Sequence, residues 1–169
     1  MSASDERLVN AAVLGDRDAF EAFIMRNGPS ILRYAQNMLS DDEVAATIVR
    51  DAFVTAWERL DSVGPGVSPR TWLYALTTYE ITALQIGHGE VDVPTERPTG
   101  CERSHVSSAL ADLSQRQRTA WLLHEVEGLP LAEVGWILGC TCDTARAHLT
   151  RAKAALREGL SAGGTATVR

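Results

Sequence analysis

Apolar residues recur along this chain at three- and four-residue spacing, interrupted by glycine, proline and short polar clusters. No stretch shows the two-residue alternation of a half-buried strand, so the pattern predicts an all-α protein. Residues 5–86 read as helical. From Arg17 to Leu39 the apolar positions are Phe20, Phe23, Ile24, Ile31, Leu32, Tyr34 and Leu39, with a break or bend expected at Gly28-Pro29. Ser40 followed by Glu43 has the form of a capping box. The helix it would open, Asp41 to Leu60, places Val49, Phe53, Ala56, Trp57 and Leu60 on one side. Asp61 to Val67 reads as a glycine-proline turn. Ser68-Pro69 then caps and opens a helix with Trp72, Leu73, Leu76 and Ile81 as its apolar positions.

The most informative pattern runs from Leu113 to Leu156: three helices separated by two tight stops. Ser114 with Gln117 forms a capping box and starts the first. Ala120, Leu122, Leu123 and Val126 give it a buried side, and Gly128 ends it by accepting a left-handed backbone. Pro130 suits the first turn of the second helix, whose core positions are Leu131, Val134, Ile137 and Leu138. Gly139 ends that helix and Thr141 caps the third. There Ala145, Leu149, Ala152 and Leu156 share one face, while Arg146, Thr150, Lys153 and Arg157 fall on another. This is the layout of a helix-turn-helix. Cations on such a helix suit phosphate binding. Side chains near its start, Asp143, Thr144, Arg146, Ala147 and His148, would reach base edges in a major groove. Spacing alone leaves open a three-helix piece of an ordinary bundle with a solvated basic face.

Charge and composition sharpen this division. Residues 1–86 carry a net charge of −5, residues 87–108 −2 and residues 109–169 +1, so the net −6 is concentrated away from the proposed reader. The N-terminal part suits protein binding better than phosphate binding. Gly87 to Ser108 is rich in Gly, Pro and charge and reads as a flexible linker, giving domains at 1–86 and 109–169. No apolar run approaches the length of a membrane span, and the N-terminus MSASDERL lacks the features of a secretory signal. Three cysteines, an odd number, do not suggest a disulfide framework and fit a reducing cytoplasm. No glycine-rich phosphate loop, His–Glu metal helix or nucleophile elbow occurs, so neither an enzyme nor a cofactor is expected.

Two helical domains around a polar linker, the second ending in this helix-turn-helix, resemble the extracytoplasmic-function sigma factors of bacterial RNA polymerase. VRDAFVTAWERL followed by PRTWLYAL resembles region two of that family. LADLSQRQRTAWLLHEVEGLPLAEVGWILGCTCDTARAHLTRAKAALRE resembles region four. The resemblance covers about residues 8–86 and 109–160. It implies partners: core polymerase, promoter DNA and an anti-sigma factor. It implies that the helix carrying Val49, Asp51, Phe53 and Trp57 binds the polymerase, with Thr47, Arg50, Asp51 and Val54 as its contact residues. Phe53 and Trp57 are expected in the core and Asp51 in solvent. It implies that region four reads DNA with Thr141, Asp143, Thr144, Arg146, Ala147, His148, Thr150, Arg151 and Lys153. Promoter melting would fall to Trp72, Tyr74 and Tyr79.

The chain departs from the family at instructive places. After WLY the family usually has an Asn, then an Asp four residues on, then a basic cluster. Here those positions are Tyr79, Ala83, and then Gln85, Ile86 and Gly87. Between Leu73 and Ser108 the only basic residues are Arg97 and Arg103. The acidic pair that often precedes the Val-Val-Gln stretch is Ala46-Thr47, and the Gln is Arg50. Single-strand binding normally combines cations with stacking aromatics. The alternative is therefore a sigma-like regulator that does not open promoters and acts by binding an anti-sigma factor, the polymerase or another regulator. Cys101, His105, Cys140 and Cys142 could hold a metal only if the linker folded back. Cys140 reads more simply as a small apolar residue in the turn, and no metal is expected.

Overall fold

A computed structural model describes residues 4–39, 41–64, 66–87, 110 and 112–163, and these contain helices and turns with no strand. The chain divides into two compact units, Met1–Ala83 and Leu84–Arg169. The expected linker after Gly87, with Cys101 and His105, lies outside the described residues, as does Ser40.

The first unit is built on α1 (Asp5–Val13), α2 (Arg17–Met38), α3 (Asp42–Glu58) and the start of α4 (Pro69–Gly87). A break separates α1 from α2 at Gly15, whose φ of +97° suits a residue without Cβ. Asp16 then caps α2 by accepting from the Ala19 N–H at 3.0 Å. The break expected at Gly28-Pro29 does not occur, and α2 runs through both residues. Pro29 is exposed, so the carbonyl of Met25 that loses its partner is left on the wet side, where water can satisfy it. The cap of α3 is Asp41, accepting from the N–H groups of Glu43 at 2.8 Å and Val44 at 3.1 Å, in place of the expected Ser40. A carboxylate there also complements the positive end of the helix.

α2 packs against both α1 and α3. Arg26 pairs with Asp5 at 2.8 Å, and the buried Asn27 donates to the Phe23 carbonyl and to Asp5, pinning α1 on α2. Phe23, Ile31, Tyr34, Met38, Leu73, Tyr74 and Ile81 are almost fully buried. Tyr34 and Tyr74 meet edge to face at 5.5 Å, and the Tyr34 hydroxyl hydrogen-bonds Thr78 at 2.8 Å, so the buried polar tip of Tyr34 has a partner.

The second unit holds α5 (Gln115–Trp121), α6 (Leu131–Ile137) and α7 (Cys142–Gly163). The Ser114–Gln117 capping box forms in both directions. Immediately after it the Arg118 guanidinium, half-buried, donates back to the carbonyls of Leu110 at 2.7 Å and Leu113 at 3.4 Å. Burial draws its pKa down and nearby Asp112 draws it up. Beyond Trp121 the helix widens into a π-turn, Leu122–Val126, with the Glu127 N–H bonded to the Leu122 carbonyl at 3.0 Å. The wider turn delays the next inward position by one residue. Val126, expected in the core, is 41% exposed, and Glu127 is buried in its place. Of the expected α6 core, Val134 is fully buried, while Leu131, Ile137 and Leu138 are half-buried. Gly128 and Gly139 both take positive φ, as their roles as helix stops require.

Candidate nucleic-acid and partner interfaces

The candidate reader is assembled from α6, the turn after it, and α7. Thr141 accepts from the Thr144 N–H at 3.2 Å and so caps α7. The turn is tight because of Gly135, a residue the spacing did not single out. A Cβ there would sit 2.9 Å from the Cys140 carbonyl oxygen, closer than real contacts allow. Its carbonyl accepts from the Cys140 N–H at 2.9 Å. The only sequence signal for this role is a glycine inside an otherwise regular helical pattern.

Ala145, Leu149, Ala152 and Leu156 of α7 are buried against α5 and α6, as their spacing predicts. This leaves Thr141, Asp143, Thr144, Arg146, Ala147, Thr150 and Arg151 exposed. His148 and Lys153 are half-buried. His148 Nδ1 is buried with no hydrogen-bond partner, so an outward contact of this ring runs through Nε2. Two of the four basic side chains on α7 are already paired. Arg146 bonds Asp143 at 2.9 Å, and Lys153 bonds Glu125 of the π-turn at 2.9 Å. The Asp143–Arg146 pair is largely solvent-exposed, so opening it costs only about 0.2–1 kcal/mol. The Thr150 hydroxyl donates to the Arg146 carbonyl and keeps its lone pairs available.

In the first unit, Thr47, Arg50, Asp51 and Val54 are all exposed and fall at the i, i+3, i+4, i+7 spacing of a single face of α3. Arg50 and Asp51 approach at 3.5 Å. Beside this face lies an apolar groove of about 540 Å³ between α2 and α3, lined in part by Phe20, Ile24, Val49, Phe53, Val54 and Trp57, with Arg50 and Glu58 adding charge. Phe53 and Trp57, expected in the core, are only half-buried and form the wall of this groove. Their inner edges are held: Trp57 tilts against Phe20 at 5.0 Å, and the Phe53 ring lies over Gly28, where a side chain's Cβ would come within 3.9 Å.

α4 differs from the expected melting surface. Trp72 and Tyr74 are buried, Tyr74 fully, because the core of the first unit takes their rings. Neither offers a stacking face to a nucleotide. Tyr79 is 69% exposed and keeps that possibility. The single cation among the described residues of α4 is Arg70, which lies over the Tyr74 ring at 5.6 Å. Thr77, Thr78 and Thr82 donate to carbonyls one turn back along their own helix.

An acidic helical unit with an apolar groove, followed by a helix-turn-helix whose polar face is exposed, fits a transcription factor of the sigma type. The sigma-70 region 2 profile matches residues 23–83 and the sigma-70 region 4 profile residues 105–156. The chain belongs to this family, in its extracytoplasmic-function group of RNA polymerase sigma factors. It is 30% identical to the sigma factor SigC of Mycobacterium tuberculosis, an alignment covering 92% of each chain. It is 23% identical to the sigma-E factor of Escherichia coli, over 90% of this chain and 92% of that one. Among solved structures, CnrH in complex with the cytosolic domain of CnrY shares its fold at a TM-score of 0.77 and 24% identity, over 95% of this chain and 99% of that one. RpoE of Bartonella quintana, bound to the anti-sigma factor NepR, shares it at a TM-score of 0.73 and 23% identity, over 84% and 96%.

Proposed function

We propose that α3 and the groove beside it bind core RNA polymerase, that α7 reads duplex promoter DNA, and that an anti-sigma factor controls the protein. The single observation that carries the reading is the exposed face of α7. Its start is fixed by the Thr141 cap and the Gly135 contact, and it presents Asp143, Thr144, Arg146, Ala147, His148, Thr150, Arg151 and Lys153. A rigid helix N-terminus with short and basic side chains is the geometry for entering a major groove. The α3 face is a second support, since Thr47, Arg50, Asp51 and Val54 leave an apolar and charged strip uncovered within their own unit. Anti-sigma control is supported by the structural relative RpoE of Bartonella quintana, which is bound to the anti-sigma factor NepR.

One observation favours a second reading. Within its described residues the α4 surface has neither free cations nor the rings of Trp72 and Tyr74 to hold a separated strand. A regulator that binds polymerase or an anti-sigma factor without opening DNA needs no such surface. Mixing the purified chain with core polymerase and scoring open complexes on promoters recovered from genomic DNA tests both. Opening supports the working sigma factor. Core binding with closed promoters supports the second reading, and no core binding overturns the role of α3.

A further inference from the structure

The turn that sets the start of α7 carries two thiols, Cys140 and Cys142, on either side of the capping residue Thr141. Both are free and both are partly exposed, so an oxidant can reach them. Neither is used by the core of the unit, whose buried positions on α7 begin at Ala145. We infer that Cys140 and Cys142 form a peroxide-sensitive pair whose oxidation to a disulfide releases the cap of α7 and switches off DNA reading. The inference rests on α7 being the helix that reads duplex DNA.

The argument is geometric. An N-cap residue has extended backbone, and an extended residue sends the side chains before and after it to the same side. Two residues apart in that conformation, the α-carbons are separated by roughly 7 Å. A disulfide needs them at roughly 4.4–6.8 Å, usually nearer the middle of that range. A separation at the upper edge of the bridging range means that joining the thiols draws Thr141 out of the extended conformation of a cap. On its other side the turn is held against α6. The Cys140 carbonyl already lies where no Cβ fits at Gly135, and the Cys140 N–H is bonded to the Gly135 carbonyl. The movement falls on Thr141 and Cys142, which breaks the 3.2 Å bond from the Thr144 N–H to Thr141 Oγ1. Asp143, Thr144 and Arg146 move with it.

The chemistry balances with a peroxide as oxidant. One thiol attacks an oxygen of hydrogen peroxide, the O–O bond breaks, and a sulfenic acid and one water form. The second thiol displaces the remaining oxygen as a second water, giving the S–S bond. Two thiols lose two electrons and two protons, and a dithiol reductant reverses the change.

The test uses the full chain carrying Cys101→Ser, so that only these two thiols remain. Hydrogen peroxide should produce a monomer two hydrogens lighter, with the link mapped to the Cys140–Cys142 peptide. Amide exchange at Thr144 should rise on oxidation and return on reduction. Binding to a labelled duplex, recovered by selection from a random-sequence library with the reduced protein, should weaken about tenfold or more. The Cys140→Ser and Cys142→Ser variants should bind like the parent and ignore peroxide. Failure to form the link, a disulfide-linked dimer in its place, or equal exchange and binding in both states each overturns the switch. If the reduced chain selects no duplex, the DNA-reading assignment fails instead, while the mapped link and the exchange at Thr144 still decide whether oxidation opens the cap.

Discussion

α4 and α7 are the two helices whose outer faces the family resemblance would devote to DNA, and those faces offer opposite chemistry. They are similar in length, 19 and 22 residues, and each has a buried side. On α4 the hydroxyls of Thr77, Thr78 and Thr82 are turned back onto the helix and two of its three aromatic rings are buried, so little is left to recognise a polyanion. On α7 the exposed side carries Arg146, Arg151 and Arg157 with the half-buried Lys153, and of the two ion pairs found there one lies within the helix and the other reaches the π-turn. A helix face becomes a nucleic-acid surface through side chains that have no better partner within the protein. Composition alone does not decide it.

The largest expected effect breaks the α7 half of this comparison at its base. Leu149→Asp places an unpaired carboxylate at a position only 5% exposed. It should cost more than about 4 kcal/mol and remove the unfolding transition of the second unit while leaving that of the first. A melting curve with both transitions intact would show that the buried face of α7 is wrongly assigned. Next, restoring cations on α4 with Gln85→Arg and Ile86→Arg should raise open-complex formation severalfold if their absence limits melting. Permanganate footprinting of the start-site region measures it, and an unchanged footprint would move the cause elsewhere.

Arg151→Ala should weaken duplex binding by roughly 1–3 kcal/mol if the side chain reaches a base, or lower the salt slope by about one unit if it reaches a phosphate. A salt titration distinguishes the two, and no change in either quantity removes Arg151 from the interface. A glycine in each unit gives a smaller contrast. Gly135→Ala forces a Cβ to 2.9 Å from the Cys140 carbonyl and should destabilise the second unit by about 1–3 kcal/mol. Gly28→Ala meets Phe53 only at 3.9 Å and should be neutral or stabilise α2 by up to about 1 kcal/mol. Urea unfolding of both variants checks the order. Smallest of all, Asp143→Asn frees Arg146 and removes a carboxylate from the N-terminal end of α7, the end proposed to read DNA. It should strengthen non-specific duplex binding by less than about 1 kcal/mol at low salt.

The helices and caps of the second unit were legible in sequence because their signals are local: Ser114 with Gln117, Gly128, Gly139 and Thr141 each act within one turn. What was not legible depends on packing across elements. Pro29 reads as a breaker, and only its position on the wet side of α2 shows why the helix continues. Trp72 and Tyr74 look like candidates for base stacking until Tyr34 and the surrounding core claim their rings. Phe53 and Trp57 look like core residues, and their exposure as a groove wall depends on how α2 and α3 meet. Gly135 carried a signal, an interior glycine, but its meaning lies in a turn five residues away. For the candidate site the recognition-helix face followed from periodicity, whereas the pairing of Lys153 with Glu125 did not.

That last pairing traces to the π-turn, which is a helix that has accepted one residue too many. Such a turn closes its backbone bond one residue further along than a regular helix does. The register change hides a carboxylate at Glu127, brings a valine to the surface at Val126, and accompanies the contact between Glu125 and the chain's one lysine. Deleting a single residue between Leu122 and Val126 would restore regular winding and reverse which of these side chains is hidden. Small changes of length in this segment would act on α7 as changes of charge.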